Sequence, residues 1–429
     1  MFISIQEALN KGKGKVSIRG WVYRERKQKD MVFLVMRDST NIIQSVIKQN
    51  KVGKKEWDDA NKVLIESSLE LEGELKQDKR APTGYEIQVD KLNVVQFSDV
   101  FPINKDQSPE FLMDNRHLWI RSRKLTAVMK VRSTVMKAFR EYYYNNGFDE
   151  MAPPIFTPNA CEGGSTLFEV KYFDKKVYLT QSWQLYAEVA IFALEKIFCI
   201  SPCFRAERSK TSRHLAEFWM AEMEAAWYDL NKLTESAEEC VQYIIQKTVK
   251  ENEKELILLG QDIEKLKEIK TPFPRLKYSE VLKILKEKEK INIPFGKDLR
   301  TVEEDLIMKH FDKPLIVTHY PKEIMAFYKP LDPKNPKEAL CFDMLAPEGY
   351  GEIIGGSQRD LDVDELKKWL KKQGEKPENY GWYLDTRKYG SVPHSGYGLG
   401  IERVVAWLCK LDNIKDAIPF PRTMLRYTP

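Results

Sequence analysis

The stretch 351–360 reads GEIIGGSQRD, with Glu352 and Arg359 on either side of a Gly-Gly-Ser run. Charges beside so much bare backbone are costly to bury alone. Their expected partners therefore lie outside the chain: a cation, a phosphate or a small charged substrate. A second constellation is CFRAERSKTSRHLAEFWMAEMEAAW (203–227), which reads as strand, polar loop and returning strand. It carries Arg205, Glu207, Arg213, His214 and Phe218. Arginine offers a rigid fork to phosphate, and phenylalanine offers a face to an aromatic base. Together they read as a nucleotide site built on a hairpin. The chain has no G-x-x-x-x-G-K-[ST], so a Walker loop is excluded. A third piece, SGYGLGIERVVAWLCKLDNIKDAIPFPR, is a glycine-rich strand ending at Gly400 and a helix opening with Arg403 at its third residue. Glycines there let a ligand approach the backbone, and Arg403 is expected to face it. A fourth, NNGFDEMAPPIFTP (145–158), is a helix end followed by a strand broken at Pro153-Pro154. Proline cannot donate to a ladder, so this strand belongs at an edge or an interface.

These groups need a scaffold. Residues 15–100 alternate β-branched and aromatic residues with charges over five segments, with the helical stretch KKEWDDANKVLIES between the third and fourth. That order is the order of an OB barrel. The segment FPINKDQSPEFLMDNRHLWIRS, rich in proline and polar residues, reads as a hinge. Beyond it, KLTAVMKVRSTVMKAFREYYYNNG reads as a long amphipathic helix, followed by mixed strands and helices. The lysine- and glutamate-rich stretch 229–290 reads as a helical region with a solvated surface. The expected organisation is 1–101 barrel, 102–124 hinge and 125–429 second domain. The fold class is α+β.

The 429 residues allow two or three domains, and 42% apolar with 31% charged residues is the composition of a folded chain. A net charge of +5 permits nucleic-acid binding without arguing for it. Cys199 and Cys203 have no matching second pair and no nearby histidine, so the six cysteines are expected as free thiols and not as zinc ligands. No signal peptide and no run of about 20 apolar residues is present, so the expected location is the cytoplasm, with no membrane partner.

The second, third and fourth stretches, in chain order 145–158, 203–227 and 396–422, resemble the three signature motifs of the class II aminoacyl-tRNA synthetases. The resemblance covers almost the whole chain. It points to the aspartate/asparagine/lysine subgroup, which carries an anticodon-binding OB domain at its N-terminus. Within the subgroup, EGGSTLFEVKYF, LTQSWQLYAEVA, RHLAEFWMAEME and GGSQR resemble the asparagine-specific enzymes of archaeal type. The resemblance implies an antiparallel sheet flanked by helices, and ATP and Mg²⁺ as co-substrate and cofactor. It also implies an aminoacyl-adenylate intermediate, release of pyrophosphate and AMP, tRNA(Asn) as acceptor, and a homodimer joined through 147–158. By resemblance, Arg205 binds the α-phosphate and, with Arg403, carries catalysis. Glu207, Arg213, His214, Leu215 and Gly400 line the ATP site, with adenine between Phe218 and Arg403, a stacking and cation–π arrangement. Glu352 and Asp343 hold the metal, Arg359 reads the substrate side chain, and Glu162 and Gln184 hold its α-amino group.

Aspartyl enzymes resemble this chain but carry QSPQLYK, whose lysine pairs with the substrate carboxylate. Here the stretch is QSWQLYAE, with Ala187 and then Glu188. A carboxylate repels a carboxylate and accepts from an amide NH₂, which favours asparagine. Glu188 is thus expected in the amino-acid site, although a surface position on its helix stays open. Gly355 also stands where the archaeal-type aspartyl enzymes have serine. A non-discriminating aspartyl enzyme and a tRNA-independent asparagine synthetase are the alternatives; the missing lysine and the intact barrel argue against them. On the barrel, Phe33, Gln44 and Glu86 match positions that read the central anticodon base by stacking and hydrogen bonding. A barrel-core position for Phe33 stays open.

Overall fold

The computed structural model describes residues 1–104, 106–161, 166–208 and 214–429. The chain divides into two compact units, Met1–Met113 and Asp114–Pro429. In the first, helix α1 (Ile5–Lys11) is fixed by a Ser4/Glu7 capping box. Strands β1 (Gly14–Lys27), β2 (Met31–Arg37), β3 (Ile42–Lys48), β4 (Ser68–Gln77) and β5 (Tyr85–Gln96) close into a barrel in the order β1-β2-β3-β5-β4. Helix α2 (Lys54–Lys62) lies between β3 and β4 in the chain, as expected of the OB order. Period-2 patterning sends Val32, Leu34 and Met36 into the core with Ile43, Ile47 and Ile87. Phe33 is therefore on the outer wall and not in the core.

The unit boundary falls at the end of helix α3 (Pro109–Asp114). Part of the segment expected as a hinge is firmly anchored. In helix α4 (Arg116–Trp119) the buried Arg116 donates to the carbonyls of Pro419 at 2.8 Å and Ile418 at 2.7 Å and pairs with Asp416 at 3.2 Å.

The second unit runs through α5 (Arg123–Asn145), β6 (Asp149–Glu150), β7 (Phe156–Thr157), β8 (Glu169–Tyr172), β9 (Lys175–Leu179) and α6 (Gln184–Leu194). It continues through β10 (Lys196–Phe204), β11 (Glu217–Ala226), α7 (Leu230–Leu258), α8 (Ile263–Lys267), β12 (Arg275–Lys277), α9 (Tyr278–Lys288) and α10 (Thr301–Met308). Then come β13 (Leu315–Thr318), β14 (Leu331–Asp332), β15 (Asn335–Ala339), β16 (Cys341–Ala346) and β17 (Gly351–Gln358). The last elements are α11 (Val363–Lys372), α12 (Gly381–Asp385), β18 (His394–Gly400) and α13 (Ile401–Leu408). The main sheet has the order β12-β13-β16-β17-β18-β11-β10-β6. It is antiparallel except at its two ends, where β12–β13 and β10–β6 are parallel. The segment with the paired prolines lies at sheet edges, as expected, with Pro153 and Pro154 between two short edge strands. Asp149 and Glu150 form the last strand, and Phe156 and Thr157 pair with β9.

One face of the sheet is packed by α5, α7 and α13. The apolar residues of α5 recur at helical spacing (Val128, Val131, Val135, Ala138, Phe139, Tyr142) and pack with Val241, Ile244, Val405 and Trp407. Each fully buried large apolar side chain contributes about 1.5–3 kcal/mol. The buried ion pair Arg132–Glu402 (2.7 Å) ties α5 to the start of α13, and the other Glu402 oxygen accepts from the Trp219 backbone N–H of β11 at 3.0 Å. This side of the sheet holds the scaffold rigid and leaves the other face for chemistry. All six cysteines are buried thiols. Among the described residues no helix is long and apolar enough to cross a membrane.

Candidate active site

The open face of the sheet is built by a cross-strand rule. Along β11, Phe218, Met220, Glu222 and Glu224 point one way, because side chains alternate. On β18 the residues opposite are glycines: Met220 faces Gly400, Glu222 faces Gly398 and Glu224 faces Gly396. A Cβ on Gly396 would lie 2.0 Å from Glu224 Oε2 and 2.5 Å from the Met223 carbonyl oxygen. A Cβ on Gly398 would lie 2.5 Å from the Met220 methyl. The glycine strand thus gives the β11 side chains room to lie across the sheet. Ligand access to the backbone was the expected reason, and the first occupants are the protein's own side chains.

Two cavities open on this face. The first is lined by Arg205, Glu207, His214, Leu215, Phe218, Glu352, Gly400 and Arg403 among others. Every described residue expected at a nucleotide site is therefore in one place. Arg205 follows the end of β10, held where its backbone N–H donates to the Ala216 carbonyl at 3.0 Å. Its guanidinium lies 5.4 Å from the Phe218 ring centroid. The cation over Phe218 is thus Arg205, whereas Arg403 turns to Glu352, donating to its backbone carbonyl at 2.5 Å and its Oε2 at 3.2 Å. The side chain of Arg403 also lies over Gly400, about 3.6 Å from where a Cβ would stand. His214 Nε2 is 3.5 Å from Glu207. Arg213 and Glu162 lie outside the described residues.

The second cavity is lined by Gln184, Glu222, Glu224, Tyr328, Lys329, Asp343, Glu352 and Arg359 among others. Arg205, Met220, Glu352 and Gly398 line both cavities, so the two meet at Arg205 and Glu352. The Asp343 and Glu352 carboxylates converge over Gly355, whose Cβ would lie 3.5 Å from one and 3.0 Å from the other. Burial, and then the charge of Glu352, push the Asp343 carboxyl well above the usual range. Two carboxylates sharing one space fit a divalent cation, which would relieve that repulsion. Among the described residues no set of three or more His, Cys, Asp or Glu forms a metal cage. A divalent cation held by these two carboxylates would complete its shell with water or bound phosphate oxygens.

Arg359 and Glu352 do have partners in the chain, against the sequence expectation. Arg359 is paired to Glu224 at 2.7 Å, donates to Ser357 Oγ at 3.0 Å and lies 5.2 Å from the Tyr328 ring centroid. Glu188 requires a correction. It is fully buried but lines neither cavity, because α6 turns it behind Arg359. Its oxygens accept from Gln184 Nε2 at 2.8 Å, from Tyr383 Oη at 2.8 Å and from Arg387, with His394 Nε2 at 3.1 Å. Burial alone would raise this carboxyl; Arg387, His394 and Arg359 together outweigh it and hold it well below the usual range. Gln184 lines the second cavity with its amide nitrogen committed to Glu188.

Glu222, Glu224, Tyr328 and Lys329 were missed in the sequence. The alternation of β11 was a readable signal for both glutamates. Tyr328 and Lys329 lie between β13 and β14 in a segment without period, and only the tertiary fold brings them in.

On the barrel, Phe33, Gln44 and Glu86 share the outer wall of β2, β3 and β5. Arg26 lies 4.5 Å from the Phe33 ring centroid, and Gln44 Nε2 donates to Glu86 at 2.8 Å. An aromatic face, an amide and a carboxylate side by side can stack on and hydrogen-bond a base.

A family model for class II tRNA synthetases (D, K and N) matches residues 108–424, and one for the OB-fold nucleic acid binding domain matches 16–95. The asparagine–tRNA ligases of Thermoplasma acidophilum and Thermococcus kodakarensis are 50% and 51% identical, each over 97% of this chain and 96% of the relative. The crystal structure of asparaginyl-tRNA synthetase from Pyrococcus horikoshii complexed with asparaginyl-adenylate is similar with a TM-score of 0.96 and 48% identity, covering 100% of both chains.

Proposed function

The chain belongs to the class II tRNA synthetases (D, K and N), and we propose that it joins asparagine to tRNA(Asn) through an asparaginyl-adenylate. The observation that carries this reading is the junction of the two cavities at Arg205 and Glu352. A nucleotide in the first cavity and an amino acid in the second meet there. The amino-acid carboxylate, already ionised at neutral pH, attacks the α-phosphorus, a new C–O–P linkage forms, and the bond to pyrophosphate breaks. The attacking group needs no general base. Catalysis rests on positioning and on charge placed where it develops.

Arg205 lines both cavities and would hold the α-phosphate; its partner Phe218 would stack on adenine. Arg403, tethered to Glu352, would meet the nucleotide from the α13 side, with Glu207 and His214 at its rim. Arg359 would donate to the side-chain amide oxygen of asparagine, and a β11 carboxylate, Glu222 or Glu224, would accept from its NH₂. Asp343 and Glu352 would hold Mg²⁺, which when bound neutralises phosphate charge. Gln184, and Glu162 by resemblance, would hold the α-amino group. Phe33, Gln44 and Glu86 would read the anticodon.

The same reading makes the chain a cytoplasmic homodimer. The edge strand β6 and the exposed Ile155 and Phe156 support a contact with a second copy. The test is acylation of tRNA(Asn) with labelled asparagine. Charged tRNA in the presence of ATP is the expected result, and no charging by folded enzyme would refute the reading.

A further inference from the structure

Behind the second cavity lies a buried file of alternating charges: Glu224, Arg359, Glu188, Arg387. Glu224 and Arg359 line the cavity, whereas Glu188 and Arg387 stand behind them. Arg359 Nε is 3.8 Å from Glu188 Oε1, and Arg387 donates to Glu188 Oε2, to the Asp360 carbonyl at 3.2 Å and to Tyr383 Oη at 2.8 Å. Glu188 and Arg387 are both almost wholly withdrawn from solvent. Charges held this way act over several ångströms with little screening.

Arg359, even paired to Glu224, is a cation lining the cavity with Arg205 and Lys329, and a carboxylate side chain could sit beside it as readily as an amide. A second buried cation directly behind it would tilt the cavity further toward an anionic substrate. Glu188 is the carboxylate set against that second cation. We propose that Glu188 is a specificity-determining residue that never touches the substrate: by neutralising Arg387 it keeps the cavity selective for the uncharged amide of asparagine over the carboxylate of aspartate. This rests on asparagine being the substrate. Glu188 also fixes Gln184 through its Oε1, so a purely structural role is the competing explanation.

Selectivity separates the two. The ratio of kcat/KM for aspartate to that for asparagine is measured by ATP–pyrophosphate exchange in wild type, Glu188→Gln, Arg387→Gln and the double variant. Glu188→Gln leaves Arg387 uncompensated and is expected to raise the ratio at least about tenfold. Arg387→Gln removes the second cation while Glu188 keeps Arg359 and His394, leaves the file more negative, and is expected to lower it. The double variant is expected to return toward the wild-type ratio, whatever its absolute rate. An unchanged ratio in folded Glu188→Gln, or a double variant no closer to wild type than the single, overturns the proposal. Should Glu188→Gln not fold, Arg387→Gln still decides: an unchanged or raised ratio overturns it. Failure of the wild type to activate asparagine refutes the substrate reading itself, an outcome visible before any variant is compared.

Discussion

Arg359 donates from Nε and Nη2 to the two carboxylate oxygens of Glu224, at 2.9 and 2.7 Å, with both side chains buried. A bidentate pair of this kind fixes the plane of the guanidinium as well as its position. Both residues line the second cavity, so the pair places a carboxylate beside the guanidinium there. One donor and one acceptor, side by side, match the two ends of a carboxamide.

That geometry depends on Gly396. Gly396→Ala is expected to push Glu224 out of register with Arg359, because the carboxylate is locked by its partner and the Met223 carbonyl cannot yield. A misplacement of about 1 Å near the chemistry costs on the order of 100-fold. The measurement is the asparagine-dependent exchange rate, with circular dichroism to check the fold. A folded variant with wild-type exchange would contradict the role given to the pair.

How much of this was legible depends on what kind of signal each residue carried. Period 2 in the barrel and the period of α5 are imposed by burial, and both could be read. The strand–loop–strand at 203–227 and the glycine strand before α13 were legible because loop and glycine positions are dictated by local geometry. The side of α6 that meets the cavity is not legible in a helix of mixed burial, so the sequence does not show that Glu188 lies behind Arg359. The partners of Arg359 and Glu352 read as lying outside the chain because Glu224, 135 positions from Arg359, and Arg403, 51 from Glu352, leave no local trace beside them. Tyr328 and Lys329 had no pattern at all.

Phe33→Ala is expected to weaken charging of tRNA while sparing adenylate formation. The ring stands on the outer wall of the barrel with Arg26 on it, so its loss leaves the core intact. Losing one stacked base costs about 1–3 kcal/mol. Aminoacylation kcat/KM and tRNA-free exchange are compared in one preparation. An equal fall in both would assign Phe33 to stability instead of recognition.

Glu188 also gives a pH signature. Its folded carboxyl lies below the ordinary value of 4.5, so the fold binds this proton less readily than the unfolded chain does. The resulting stabilisation is fully present above that ordinary value and is lost as pH falls toward the folded one. The difference in Tm between wild type and Glu188→Gln should be wide near neutral pH and narrow in acid below about pH 4. A gap independent of pH would mean the carboxylate charge contributes nothing to the fold.

The most direct test of the whole account is ATP–pyrophosphate exchange by the full chain with asparagine and aspartate offered separately. The donor–acceptor pair of Arg359 and the β11 glutamates, with Arg387 behind it paired to Glu188, is expected to give exchange with asparagine at least about 100-fold faster than with aspartate. Equal rates with the two amino acids, or exchange with aspartate alone, would contradict it.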